Sequence, residues 1–236
     1  MRVAVVVFPG TNCDHDALHV LGTQLKAEAH PVWHRDEDLQ NPDLVVLPGG
    51  FSFGDYLRTG ALAKLSPAMT AVRKHAEGGG KVLGICNGFQ ILCEAGLLPG
   101  ALLENVGRQF LSRFVHIRVS SNKSFFTNGL SEGSVITCPI AHFQGNYFAD
   151  SATLSELEKQ GQVVFRYCSG DGEVDPANRA SNVNGSLNAI AGICNREGNV
   201  VGLMPHPERA TEKLIGAIGG TTGLAPFAAS LGAALP

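Results

Sequence analysis

Through the first half of the chain, short runs of apolar, β-branched residues alternate with stretches of helical periodicity. The first run occupies residues 3–8 and a helical pattern follows over about 14–28. A short strand is predicted at Val32 and Trp33, and another over 44–47. A helix then runs from about 60 to 77, ended by Gly78, Gly79 and Gly80, and a strand at 81–85 feeds a further helix that stops at Gly96. This alternation predicts an α/β fold, a mostly parallel sheet with helices on both faces and functional residues in loops at the carboxyl ends of its strands. Pro9-Gly10, Pro48-Gly49-Gly50 and Cys86 all fall on that edge.

From about residue 110 the pattern changes to period-two alternation at 114–119 and 135–140, which predicts a small antiparallel insertion beside the main sheet. Residues 169–187 are rich in Gly, Asn, Asp and Ser and predict a long surface loop. Strands return at 189–194 and 200–204, joined by the turn Asn195-Arg196-Glu197-Gly198-Asn199. With no internal repeat and no linker, the 236 residues are expected to form a single domain, 1–236. The hydrophobic fraction of 44% is enough for a sizeable core. A net charge of −3 with the signs interspersed argues against nucleic acid or an anionic membrane as partner. Six scattered cysteines, without Cys-x-x-Cys pairs or zinc-type histidine spacing, suggest neither a disulfide framework nor a metal site, and fit a reducing cytoplasm. No signal peptide and no bilayer-spanning apolar run is apparent.

Candidate chemistry concentrates where the 81–85 strand enters Gly84-Ile85-Cys86-Asn87-Gly88. A strand, a Gly-x-Cys-x-Gly turn and a helix make a nucleophile elbow, whose central residue is held in a strained conformation with its side chain presented, while the flanking glycines avoid collision. The turn places the Cys86 sulfur at a helix N-terminus, where free amides favour a thiolate. Cys93, Cys138, Cys168 and Cys194 read as packed core positions. Cys13 also lies between a strand and a helix, but lacks the glycine pair. A nucleophile needs a base and the base an orienting group. His206, in Met204-Pro205-His206-Pro207-Glu208, follows a strand between two prolines that fix an extended backbone, and Glu208 falls on the same side of it. Alone, this segment fits a rigid surface turn; beside an elbow it reads as a dyad. His142 is a second polar position after a strand, suited to a cleft wall or to a satisfied loop. The amides of Gly50 and Asn87 are candidates for an oxyanion hole. No phosphate-binding glycine loop is present.

These motifs, Pro48-Gly49-Gly50, Gly84 to Gln90 and Pro205-His206-Pro207-Glu208, stand in the order and spacing of the class I glutamine amidotransferases, which the chain resembles over nearly its whole length. Phe8 to Asp14, Gly49 to Arg58 and Met204 to Ala210 look like the glutaminase subunits that serve purine biosynthesis. The resemblance implies catalysis by Cys86, His206 and Glu208 through a thioester, a substrate contact from Gln90, and an oxyanion hole at Gly50 and Asn87. It implies no cofactor in this chain. Ammonia would pass to a large ATP- and Mg-dependent synthetase subunit, with a small third subunit, that converts formylglycinamide ribonucleotide to its amidine. Where the family usually has His-Gly-Glu-Gly, this chain has His142-Phe143-Gln144-Gly145, placing an aromatic residue at the expected docking rim. The rival expectation is a stand-alone cysteine hydrolase or stress protein on a related fold.

Overall fold

The computed structural model describes residues 1–215 and 222–233. Its strands are β1 (Arg2–Val7), β2 (Glu28–Trp33), β3 (Leu44–Leu47), β4 (Lys81–Ile85), β5 (Ala101–Leu103), β6 (Leu111–Val119), β7 (Val135–His142), β8 (Asn146–Phe148), β9 (Val163–Cys168), β10 (Ile190–Cys194) and β11 (Val200–Leu203). Nine of them form one sheet in the order β2-β1-β3-β4-β11-β10-β9-β6-β7, while β5 pairs with β8. The run from β2 to β11 is parallel, and from β10 onward every pairing is antiparallel. The helices are α1 (Asp14–Leu18), α2 (Pro67–Glu77), α3 (Asn87–Glu94), α4 (Ser151–Lys159) and α5 (Leu224–Leu231).

The central strands are near-continuous apolar runs because both faces are covered. Val45, Val46, Leu83, Ile85, Val201 and Leu203 are all fully buried, as are Phe89, Ile91 and Leu92 of α3, which packs onto β3, β4 and β11.

Five expectations need correction. The helix expected over 14–28 is shorter: α1 continues as a π-helical stretch, His19–Gln24, and Lys26 turns the chain with φ 57. Glu28 then begins β2, pairing with Arg2, so the edge of the sheet takes a six-residue strand where two residues were expected. Pro31 is tolerated there because an edge strand leaves one side without a ladder partner. The helix expected over 60–77 is divided: Ala63–Leu65 is a 3-10 turn, Ser66 is extended with φ −67 and ψ 144, and Pro67 starts α2 in the position where its missing N–H costs nothing.

The antiparallel strands are not set beside the main sheet but prolong it. β6 pairs with β9 from His116↔Cys168 to Val119↔Phe165, and carries β7 at the far edge. Finally, the 169–187 segment is irregular as expected but is only partly a surface loop. Asn182, Asn184 and Ser186 are buried, and Asn184 Nδ2 donates to Gly145 O at 2.8 Å and Tyr167 Oη at 3.0 Å. The loop thereby anchors the segment that follows β7. No helix among the described residues is long and apolar enough to cross a membrane.

Candidate active site

Cys86 occupies the junction of β4 and α3 with φ 51 and ψ −105, a conformation that non-glycine residues adopt only when the surroundings impose it. The imposition comes from both sides. Cys86 N–H donates to Leu203 O at 2.8 Å, continuing the β4–β11 register past Ile85↔Leu203, and Gln90 N–H returns to Cys86 O at 3.2 Å to start the helix. The flanking glycines are required sterically: a Cβ on Gly84 would lie 2.6 Å from Leu92 Cδ1, and one on Gly88 would lie 1.9 Å from Leu47 O. The sequence placed the elbow correctly but not its exposure. Cys86 is only 4% exposed, because the end of β7 passes over it and Ala141 O stands 3.7 Å from its Sγ.

His206 and Glu208 come from the loop after β11, the strand next to β4. His206 N–H is held by Pro139 O at 2.8 Å, and its Nδ1 lies 2.5 Å from Glu208 Oε1. The segment is not extended throughout: Pro207–Arg209 forms a 3-10 turn, which brings the carboxylate back to the ring. Both side chains are buried, and His206 Nε2 and Glu208 Oε2 have no hydrogen-bond partner among the described residues. Burial opposes the imidazolium, but the Glu208 carboxylate and then Cys86 outweigh it, holding the histidine well above its ordinary value. Gly49 makes room for the ring, since a Cβ there would fall 2.5 Å from His206 Cε1 and 3.2 Å from Cys13 Sγ. Cys13 is thus a neighbour of the histidine, buried, with its thiol pushed up chiefly by desolvation. Cys138, Cys168 and Cys194 are buried in their strands as expected, and all six cysteines are free.

The two expected oxyanion donors are open for separate reasons. Thr11 and Gly50 face each other in an isolated antiparallel bridge whose bonds are Asn12 N–H to Gly49 O (3.3 Å) and Phe51 N–H to Gly10 O (2.9 Å). Gly50 is therefore in the non-bonded pair, its N–H turned away from the bridge. It has φ 151, and a Cβ would stand 2.7 Å from Gly10 O, so glycine is required. Asn87 is the first residue of α3, where amides have no intrahelical acceptor.

A cavity of about 100 Å³ adjoins Cys86, with Gly50, Asp55, Gln90, His142 and Phe143 among its lining residues. Ligand pockets ordinarily start at roughly 300 Å³, so this one admits the end of a small side chain rather than a whole ligand. A hollow of about 850 Å³ elsewhere, lined by Gln24, Leu130, Thr211 and Leu224, shares no residue with it and holds none of the candidate groups. Gln90 lines the same cavity: its Oε1 accepts from Asn87 Nδ2 at 2.9 Å and its Nε2 donates to Gln144 O at 2.6 Å. Thr59 Oγ1 ties the Gln144 side chain at 2.5 Å.

His142 proves to be a wall residue rather than a loop histidine satisfied on both nitrogens. The sequence did not single out Asp55, Thr59 or Asn105. Asp55 has φ 56 and an unpartnered Oδ1, and burial pushes its carboxyl up to about 6. It lies inside one of the quoted motifs, so a signal existed. Asn105 carries none, being recruited only by the folded chain.

The sequence matches the family described as the CobB/CobQ-like glutamine amidotransferase domain over residues 1–219. It is 54% identical over 233 residues, 99% of this chain and 98% of the relative, to phosphoribosylformylglycinamidine synthase subunit PurQ of Koribacter versatilis. To the same subunit of Moorella thermoacetica it is 54% identical, across 92% of this chain and 90% of the relative. Among solved structures, a chain of PurLQS from Thermotoga maritima superposes with a TM-score of 0.84 at 44% identity, covering 98% of this chain and 97% of that one. The glutaminase domain of Trypanosoma brucei CTPS, at 14% identity and a TM-score of 0.60 over 100% of this chain and 96% of that one, shares the fold. The chain accordingly belongs to the glutamine amidotransferase family, as a glutaminase subunit of the phosphoribosylformylglycinamidine synthase type.

Proposed function

We propose that Cys86, His206 and Glu208 hydrolyse the side-chain amide of glutamine and that the ammonia is passed to a partner synthetase. The observation that carries this reading is a strained elbow cysteine at the end of one strand and a buried His–Glu pair in the loop after the adjacent parallel strand, with the open amides of Gly50 and Asn87. Cys86 Sγ attacks the carboxamide carbon, and the carbonyl oxygen takes the negative charge toward the N–H groups of Gly50 and Asn87. His206, protonated at this stage, donates its proton to the nitrogen as the C–N bond breaks, leaving ammonia and a γ-glutamyl thioester. Neutral His206 then removes a proton from water, which adds to the thioester carbon. Collapse expels Cys86 and releases glutamate. Glu208 acts through His206, orienting the ring and stabilising its cationic form.

The cavity needs only the carboxamide end of the substrate. Around it stand exposed apolar side chains, Phe51, Tyr56, Leu57, Phe110 and Phe143, the kind of patch that marks a protein contact. We assign this face to the synthetase, in line with the subunit names of the relatives, which place them in phosphoribosylformylglycinamidine synthase. ATP and Mg would belong to that partner, whose substrate would be formylglycinamide ribonucleotide and which would also assemble with a small third subunit. A cytoplasmic setting is supported by the six free cysteines. The test is ammonia release from glutamine by the isolated chain and by the chain reconstituted with the synthetase subunits, nucleotide and acceptor. Activity that depends on Cys86 and rises on reconstitution is expected. Turnover equal with and without partners would refute the coupling, and turnover that survives Cys86→Ala would refute the mechanism.

A further inference from the structure

The thioester chemistry leaves one buried group of the catalytic cavity without a role. His142 ends β7, is 3% exposed and lines the cavity beside Cys86. Its Nδ1 stands 3.1 Å from Asn105 Oδ1. The orientation of that amide is fixed by its other bonds, since Asn105 Nδ2 donates to His142 O and Gln109 O, both at 2.9 Å, and Oδ1 also accepts from Gly145 N–H at 3.1 Å. An acceptor therefore faces Nδ1, so Nδ1 carries the hydrogen and Nε2 carries a lone pair. Nε2 is buried and has no partner among the described residues. Burial, helped by the nearby His206 charge, pushes the imidazole down to about 3, so the ring stays neutral at physiological pH. Gly145 lies flat against it: a Cβ there would fall 2.2 Å from His142 Cε1.

The cavity lining thus brings together two kinds of group: Gly50, whose N–H is an open donor, and His142 and Asp55, whose Nε2 and Oδ1 are acceptors with no partner among the described residues. A carboxamide matches both, with an oxygen that accepts and a nitrogen that donates. A carboxylate matches only the first, because its second oxygen would set a lone pair against a lone pair. We infer that His142 is a specificity-determining residue, whose Nε2 accepts a hydrogen bond from the carboxamide N–H of glutamine and disfavours the product glutamate. This inference rests on the glutaminase reading above. A site that hydrogen-bonds a substrate N–H rejects the analogue lacking it, because its own polar group is then left unpaired.

The test compares the reconstituted enzyme as wild type, His142→Phe and His142→Gln, measuring kcat and KM for glutamine and the inhibition constant of glutamate. Phenylalanine keeps ring volume without an acceptor, and Asn105 Oδ1 retains Gly145 N–H. Glutamine can place Oε1 near the position of Nε2. His142→Phe is expected to lower kcat/KM for glutamine about 10-fold or more, the scale of one lost buried hydrogen bond, with glutamate inhibition unchanged or tighter. His142→Gln is expected to restore most of the discrimination. Equal weakening of both ligands, no change in either, or a His142→Gln enzyme no better than His142→Phe would overturn the proposal. If His142→Phe does not accumulate as folded protein, His142→Ala carries the same comparison. Failure of the glutaminase reading itself would appear separately, as a wild-type enzyme that does not hydrolyse glutamine.

Discussion

Replacing Gly88 by alanine tests whether the close approach of α3 to β3 sets the position of the nucleophile. A Cβ at Gly88 would stand 1.9 Å from Leu47 O and 2.7 Å from Leu47 C, both backbone atoms that cannot turn aside. Carbon and oxygen settle at about 3.3 Å even in their closest regular contacts, so the helix would have to retreat by about 1.4 Å. Asn87 is the first residue of α3, so Cys86 would move with it, while His206 and Glu208 are held to β7 and β11 and would not. A displacement of about 1 Å at the reacting atoms costs on the order of 100-fold in rate, and a loss of kcat of at least that size is expected. Overpacking of about 1–3 kcal/mol would accompany it. For a chain of this length that corresponds to a fall in Tm of about 2–12 °C. Gly107→Ala serves as the control, since a Cβ there meets nothing within 4 Å. Glutamine hydrolysis by the reconstituted complex gives kcat, and scanning calorimetry gives Tm. A Gly88→Ala enzyme that melts early but keeps kcat within about threefold of wild type would refute the reasoning, because the helix contact would then support stability without placing the sulfur.

Cys86→Ala is expected to abolish ammonia release with the fold intact by circular dichroism, whereas Cys13→Ala should keep substantial activity; the reverse pattern would move the nucleophile to Cys13. Glu208→Gln removes the largest influence that raises His206 against burial, leaving Cys86 and Cys13 to oppose desolvation, so the alkaline limb of the kcat profile, where the imidazolium is lost, should move to lower pH. The same shift is legible in stability. A raised folded-state value contributes stability that is complete below about 6.5 and is lost as pH rises through that value, and unfolding titrations of Glu208→Gln should lack this alkaline loss. His206→Ala and Glu208→Ala should be non-additive, with the histidine change the more severe; a double variant equal to the product of the single losses would count against a shared dyad. Phe143→Ala should weaken association with the synthetase in a binding titration, and an unchanged affinity would remove this residue from the docking face.

Where structure is dictated by neighbours in sequence, the chain could be read directly. β4 falls on its expected residues, and the elbow follows from two glycines whose absent side chains face Leu92 and Leu47. The Pro-His-Pro-Glu segment likewise encodes its own geometry, although the short turn that joins His206 to Glu208 was not apparent from the prolines. Long-range pairing was less legible. Glu28 has ordinary helical character and becomes a strand only because Arg2 pairs with it, and β6 joins the main sheet only through β9. The Ser66-Pro67 step carried a local break signal that the apolar periodicity obscured. The burial of Cys86 and the recruitment of Thr59 and Asn105 depend on segments far apart in the chain, so no spacing rule could reveal them, whereas Asp55 lay within the Gly49 to Arg58 motif.

The hydrogen bond from Cys86 N–H to Leu203 O has a consequence for control. It ties Cys86 to the last residue of β11, three residues before His206, so a partner could part the two only by disturbing the middle of the sheet, the short loop after β11 or the seat of α3. The opposite wall is built differently: Phe53, Gly54, Asp55 and Leu57 all have positive φ, and the stretch after β7 is tied to Thr59, Gln90 and Asn105 through side chains. Such a wall can yield at small cost while the ladder stays rigid. Activation by a bound subunit would then act as a door admits a visitor, widening the entrance to machinery already assembled, and would register in glutamine affinity before it registers in the rate of the bound complex.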